Sequence, residues 1–424
     1  MIEIFNIIFL VFSIFWISTF PLFKNNLLIY KFSILENISI NLAILLNVFL
    51  FFSFYKLNQQ YIFLILMILP LLNLFFLKKE IIKENIILLL FFSFILSIAI
   101  SSNLYLEWDA QALWIYKVIN FLDGNNFNNL SNVPGEITYP HLGTYVWAFF
   151  WKNSFIDLEY TGRVFYMFIY SLSILIIVDL QKKDLLKKIL IISGIFILSL
   201  DSFLLSGYQE YLVFSIFIFI FYFYFRFNKT KEKIFIVPII LFINSILWIK
   251  NEASFFVLFF LFFAFFHHLI KKEKINKELV LLSILYLFFV FIKNIIFHSN
   301  FGEVNMGWQD YTTNNFGNIF QFSYFIERTS SIFVSILVAL IKCKIYLVFF
   351  LVLFFNLNKK NFKVFLPYIF FLLLNITLIY LIYYLANDPN WANYLATTVD
   401  RLLFQTSGIY LLPILFILKK NNYL

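Results

Sequence analysis

Residues 86–109 read IILLLFFSFILSIAISSNLYLEWD. From Ile86 to Leu106 there are 21 consecutive residues without a charge, and about 20 residues of helix are enough to cross the hydrocarbon of a bilayer. The run then stops on Glu107-Trp108-Asp109, two carboxylates around an amphipathic ring. Similar apolar windows lie at 4–23, 38–55, 61–77, 161–180, 189–206, 208–226, 234–249, 253–270, 279–297, 345–357, 363–385 and 405–418. Inside lipid the backbone must satisfy its own hydrogen bonds, so each window reads as a helix. The alternating ten-residue strands of an outer-membrane barrel are missing from the pattern. The expected fold is an all-α polytopic membrane protein with about 13 transmembrane helices and extracytoplasmic amphipathic helices, forming a single transmembrane domain over 1–424.

Composition agrees. Hydrophobic residues make up 62% of the chain and charged residues 13%, against roughly 45–50% and 25% in soluble domains. So few charges could not cover a soluble core rich in 63 Phe. A net charge of +9 would suggest nucleic acid in a soluble protein, but here Lys and Arg sit in short loops, where they set topology, and no nucleic-acid partner is expected. The single cysteine, Cys343, excludes an internal disulfide and a thiolate metal cluster. The four histidines, His141, His267, His268 and His298, form no compact ligand motif. The first apolar run lacks a basic leader and a small-residue cleavage site, so it reads as a retained span.

Seven short segments (24–37, 78–85, 181–188, 226–233, 271–278, 356–363 and 419–424) hold 22 of the 32 Lys and Arg, which makes them cytoplasmic. The opposite side carries three longer loops, 107–160, 298–344 and 386–404, and most carboxylates, including Glu107, Asp109, Glu136, Asp157, Glu159, Asp201, Glu210, Glu252, Glu303, Asp310, Glu327, Asp388 and Asp400. Two further apolar stretches, 140–151 and 328–343, are read as interfacial or re-entrant, because that keeps every Lys cluster on one side. Chemistry is therefore expected at the outer face of a cytoplasmic membrane.

There the sequence from Ala110 places Leu113, Trp114, Val118, Phe121 and Leu122 at helical spacing, with Gly124 as a stop. That pattern predicts an amphipathic helix on the membrane surface, anchored by Trp108 and Trp114. Asp109 is either the cap of this helix or a general base held at the headgroups. Lys250 and Glu252 are either a local ion pair or part of a site, and Asp123–Asn132 reads by composition as a flexible loop.

The motifs Trp-Asp-Ala-x-Ala-x-Trp-x-x-Lys at 108–117, Tyr-Pro at 139–140, Gly-Tyr-x-Glu at 207–210, Lys-Asn-Glu at 250–252 and Thr-x-x-Asp-Arg-Leu-Leu-x-Gln at 397–405 follow in order. Together they resemble bacterial GT-C glycosyltransferases, polytopic enzymes that use polyprenyl-phosphate sugars and are related to the protein mannosyltransferases and the lipid A aminoarabinose transferase. The resemblance implies a GT-C-like fold and assigns Asp109 as the catalytic residue. It implies Arg401, Lys250 and Lys117 as cations for the donor phosphate, and Glu107, Tyr139, Glu210 and Glu252 as substrate-binding or secondary acidic positions. Gln209-Glu210 departs from the Ala-Asp common among relatives. The implied partners are a polyprenyl-phosphate-linked sugar, a glycan, lipid or protein acceptor, and membrane lipid. No cofactor is specified by the sequence, and a divalent metal could sit at Glu107 or Asp109. The competing classes are a flippase for a lipid-linked saccharide and a polysaccharide polymerase or ligase; a flippase would favour mid-membrane charges and internal repeats.

Overall fold

The computed structural model describes residues 2–21, 32–75, 83–134, 137, 139–181, 184–200, 205–274, 276–302, 321–386 and 390–420. Among them the regular structure is helical: 17 α-helices with a few short 3-10 and π segments. Nine described helices are long and apolar enough to cross a membrane, and shorter apolar helices cover Ile2–Ile17, Gln59–Leu72, Lys233–Leu247 and Lys344–Phe355. This is the pattern of an integral membrane protein. The carboxylates Glu136, Asp201, Glu303, Asp310 and Asp388, listed above as outer-face residues, lie outside the described residues.

The chain divides into two compact units, one of residues 1–195 and 200–251 and one of residues 196–199 and 252–424. The first contains α1 (Ile2–Ile17), α2 (Ile34–Ser53), α3 (Gln59–Ile68), α4 (Lys83–Ser101), α5 (Ile115–Leu122), α6 (Leu142–Lys152), α7 (Tyr160–Asp179), most of α8 (Leu185–Ser199), α9 (Glu210–Thr230) and α10 (Ile236–Leu247). At its centre is α7, buried at every residue from Tyr160 to Val178 and packed against α1, α4, α6 and α9. A helix apolar all round has no stripe to orient, and it fits only where neighbours surround it. Close approach depends on Gly162, where a Cβ would run into the Trp147 carbonyl of α6. Gly162→Ala should cost about 1–3 kcal/mol through overpacking. Gly194→Ala, where nothing lies within 4 Å, should leave stability equal or higher. Thermal melting of the two purified variants in detergent checks this.

Two polar clusters of this unit mark the two ends of α2. At one, Arg226 Nε lies 2.6 Å from Glu36 Oε1, which also accepts the Tyr222 hydroxyl at 2.9 Å. Lys188 bonds Asp179 and Asn85, both at 2.9 Å. Glu36 also closes a capping box with Ser33 at the start of α2. The other end of α2, at Ser53, reaches His141 and the motif-bearing loops.

The second unit contains α11 (Ala253–Lys271), α12 (Lys277–Phe301), α13 (Phe322–Lys342), α14 (Lys344–Phe355), α15 (Lys359–Leu385), α16 (Trp391–Ser407) and α17 (Leu411–Lys420). Helix α13 corrects the reading of 328–343 as a short interfacial stretch: it begins six residues earlier and is long enough to cross. Arg328 of α13 bonds the carbonyls of Tyr383, Tyr384 and Ala386 at the end of α15, while Phe349 of α14 packs on Phe365 near its start. The two helices therefore run in succession along α15, broken only at Cys343, where ψ is 93°. The charge of Arg328 is accommodated by those carbonyls and by the rings of Tyr324 and Trp391, 4.6 and 4.5 Å from the guanidinium carbon. The expected loop at 386–404 is also corrected, since from Trp391 onward it is helix and continues to Lys420. Its polar residues Thr397, Thr398 and Asp400 lowered the hydropathy of the window without breaking the helix. By contrast α6, at 11 residues, stays too short to cross, as expected for 140–151.

Candidate functional site

The site of the first unit is built where α4 has ended. The Glu107 amide donates to the Ser206 carbonyl at 3.0 Å, tying the first loop to the turn before α9. That turn holds Gly207 at φ +85°, and a Cβ there would press on Leu106 Cδ2 at 2.8 Å and Ala110 Cβ at 3.0 Å. Only glycine meets both the backbone conformation and the close approach. Arg163 fixes the same turn from below: Nη1 donates to the Leu205 carbonyl at 2.6 Å, while Nε and Nη2 each lie 2.7 Å from the two carboxylate oxygens of Glu159. Burial pushes the Glu159 carboxyl upward and the neighbouring Arg163 pulls it back. Sequence reading listed Glu159 and missed Arg163. The available signal was one of only four Arg residues, four positions from an acid at the head of an apolar run.

The helix predicted from Ala110 exists but opens with a π-turn over Ala110–Trp114, in which the Ile115 amide donates to the Ala110 carbonyl. Leu113, Trp114, Val118 and Phe121 are buried, as the stripe required. Trp108 is 68% exposed, whereas Trp114 is fully enclosed in protein and is no membrane anchor. Asp109 is half-buried with helical dihedrals, and its side chain makes no capping bond, so it is not an N-cap in the usual sense. Glu107, two residues earlier, is half-buried as well.

Trp114 is the point on which four motifs converge. Lys117 Nζ lies 5.9 Å from its ring centroid and donates to the Tyr139 carbonyl at 2.6 Å. Lys250 Nζ lies 5.8 Å from the same ring and 2.7 Å from Glu210 Oε1. The Tyr139 ring meets Trp114 edge-on at 5.7 Å. Of the two readings of Lys250, a local ion pair or part of a site, the bond to Glu210, forty positions away, favours the second. Both lysines are buried and bonded inward, so their ammonium groups brace the loop. The Leu142 amide bonded to the Trp248 carbonyl at 2.8 Å brings the segments together. His141 sits among Phe54, Phe121, Phe127 and Trp248, with Nε2 2.7 Å from Ser53 Oγ.

Glu252 and Arg401 belong to the second unit. Gln405, one turn beyond Arg401 on α16, donates to Glu252 at 3.2 Å. Arg401 is 8% exposed, and its amide donates to the Asp400 carboxylate at 2.9 Å. Lys293, buried in α12 and missed in sequence, interacts electrostatically with Glu252. Among the described residues no group of three His, Cys, Asp or Glu side chains could hold a metal ion, and Glu107 and Asp109 supply two carboxylates alone. The first unit thus offers a half-buried carboxylate at the rim of a braced cluster of two cations and one acid. No family model, no curated protein and no solved structure matches the chain.

Proposed function

We propose that the chain is an integral membrane glycosyltransferase of the GT-C type. In this reading it moves a sugar from a polyprenyl-phosphate carrier to an acceptor hydroxyl at the extracytoplasmic face of a bacterial inner membrane. The observation that supports it best is the meeting of Lys117, Tyr139, Glu210 and Lys250 around Trp114, in the segment that Asp109 opens. These residues come from four separate motifs, and a merely apolar scaffold has no need to gather them.

Asp109 takes the proton of the acceptor hydroxyl as that oxygen attacks the anomeric carbon from the face opposite the phosphate. The bond from anomeric carbon to phosphate oxygen breaks, the lipid phosphate leaves with the electron pair, and the anomeric centre inverts. The motif resemblance alone gives the donor phosphate to Arg401, whose planar fork suits such a group. Lys117 and Lys250 act at one remove, by fixing Trp114 and the loop.

The deciding experiment supplies proteoliposomes with a radiolabelled polyprenyl-phosphate sugar. Label appearing in an acceptor supports transfer, and carrier crossing the bilayer without transfer would make the chain a flippase. Arg401→Ala should raise the donor KM about tenfold to a hundredfold, the worth of a charge-assisted hydrogen bond. Unchanged donor saturation would remove Arg401 from that role.

A further inference from the structure

The Asn-rich segment that follows α5 is ordered. Gly124, at φ +81°, turns the chain, and residues Phe127–Asn132 form a 3-10 helix whose start is closed by reciprocal bonds between Asn126 and Asn129. Phe127 and Leu130 are buried, and Asn126 Nδ2 donates to the Phe54 carbonyl at 3.1 Å. With these two apolar residues turned inward, Asn125, Asn129 and Asn132 lie on the outer side of the segment. Across from them lie Tyr116 and Ile119 on the surface of α5, the buried Asn120 beneath, and Asp123 just past the end of the helix.

Between them lies an open depression of about 440 Å³, lined by these seven residues together with Val133 and Pro134. Among the described residues the side chains of Asp123, Asn125 and Asn132 have no hydrogen-bond partner. Each amide carries two donors and one acceptor, and Asp123 adds two acceptor oxygens. Such mixed groups suit vicinal hydroxyls, and Tyr116, Ile119, Val133 and Pro134 offer apolar surface to the C–H face of a ring. Among the described residues no Lys or Arg lines the depression and the one charge that does is negative, which disfavours phosphate and acidic sugars. Its size is that of a small-ligand site.

We infer that this depression binds the neutral saccharide part of the acceptor. The inference rests on the glycosyltransferase reading for the word acceptor, and on the geometry alone for saccharide binding. The full chain in nanodiscs is titrated with maltose, lactose, chitobiose and sialyllactose, and binding is read by saturation-transfer NMR. At least one neutral disaccharide should bind with a Kd of about 1 mM, a weak value normal for so few contacts. Asn125→Ala/Asn132→Ala should weaken it about tenfold or more, because those side chains support nothing else in the fold. Asn128→Ala, exposed on the same segment but outside the lining, should bind as the native chain does. Failure of every neutral sugar to bind, equal binding by the double variant, or preference for sialyllactose overturns the inference. These results are independent of transfer: sugar binding that is lost in the double variant while no donor supports transfer would sink the enzyme reading and leave the saccharide site standing. Transfer abolished by Asp109→Asn but untouched by the double variant would do the reverse.

Discussion

Asp109→Asn is expected to lower sugar transfer by about 10²–10⁴-fold, the usual share of a positioned general base. The substitution keeps shape and removes only the ability to accept a proton. Expression and melting should therefore match the native chain, since the Asp109 side chain makes no capping bond whose loss would loosen the helix. Glu107→Gln should be far milder, because it is the amide of residue 107 that holds the Ser206 carbonyl. Initial rates in proteoliposomes with labelled donor measure both. A rate near that of the native chain for Asp109→Asn would take the base role away from this residue.

The second large effect is on stability. Glu210→Ala leaves the ammonium of Lys250 buried without its carboxylate, and removal of one partner of a buried pair costs about 3–5 kcal/mol. The side chains involved are 0% and 4% exposed, so solvent does little to soften the loss. Glu210 also lies in the first turn of α9, where a negative charge is favoured by the helix dipole. Glu210→Leu/Lys250→Met together should recover much of the loss, since neither charge is then stranded. Denaturation midpoints of the single and double variants form the test. A double variant no better than Glu210→Ala would show that the pair is not the main support of the loop.

The helical membrane architecture was legible because an unbroken apolar run leaves the backbone few alternatives. The partners at the site were not. Lys250 bonds Glu210, forty positions back, and Glu252, which directly precedes α11, accepts from Gln405 far ahead in the chain, so neither bond could be read from local spacing. Trp114 was read as an interfacial anchor from its type, and burial under two ammonium groups and Tyr139 depends on segments far away in the chain. By composition the Asn-rich stretch reads as a flexible loop, because its two anchors, Phe127 and Leu130, are hidden among polar neighbours. Arg401 was placed in a loop because hydropathy drops at Thr397–Asp400, although nothing there stops a helix.

The π-turn at Ala110–Trp114 has a geometric consequence. It contains one residue more than an α-helix would use, so everything before it is offset by about 100° in azimuth from the stripe that follows. The direction in which Asp109 points is therefore encoded partly in a residue count. Loss of one residue between Ala110 and Leu113 would let the helix close regularly, preserve the packing of Trp114, Val118 and Phe121, and swing the carboxylate by more than a quarter of a circle. In this loop a single-codon deletion is a larger change than most substitutions.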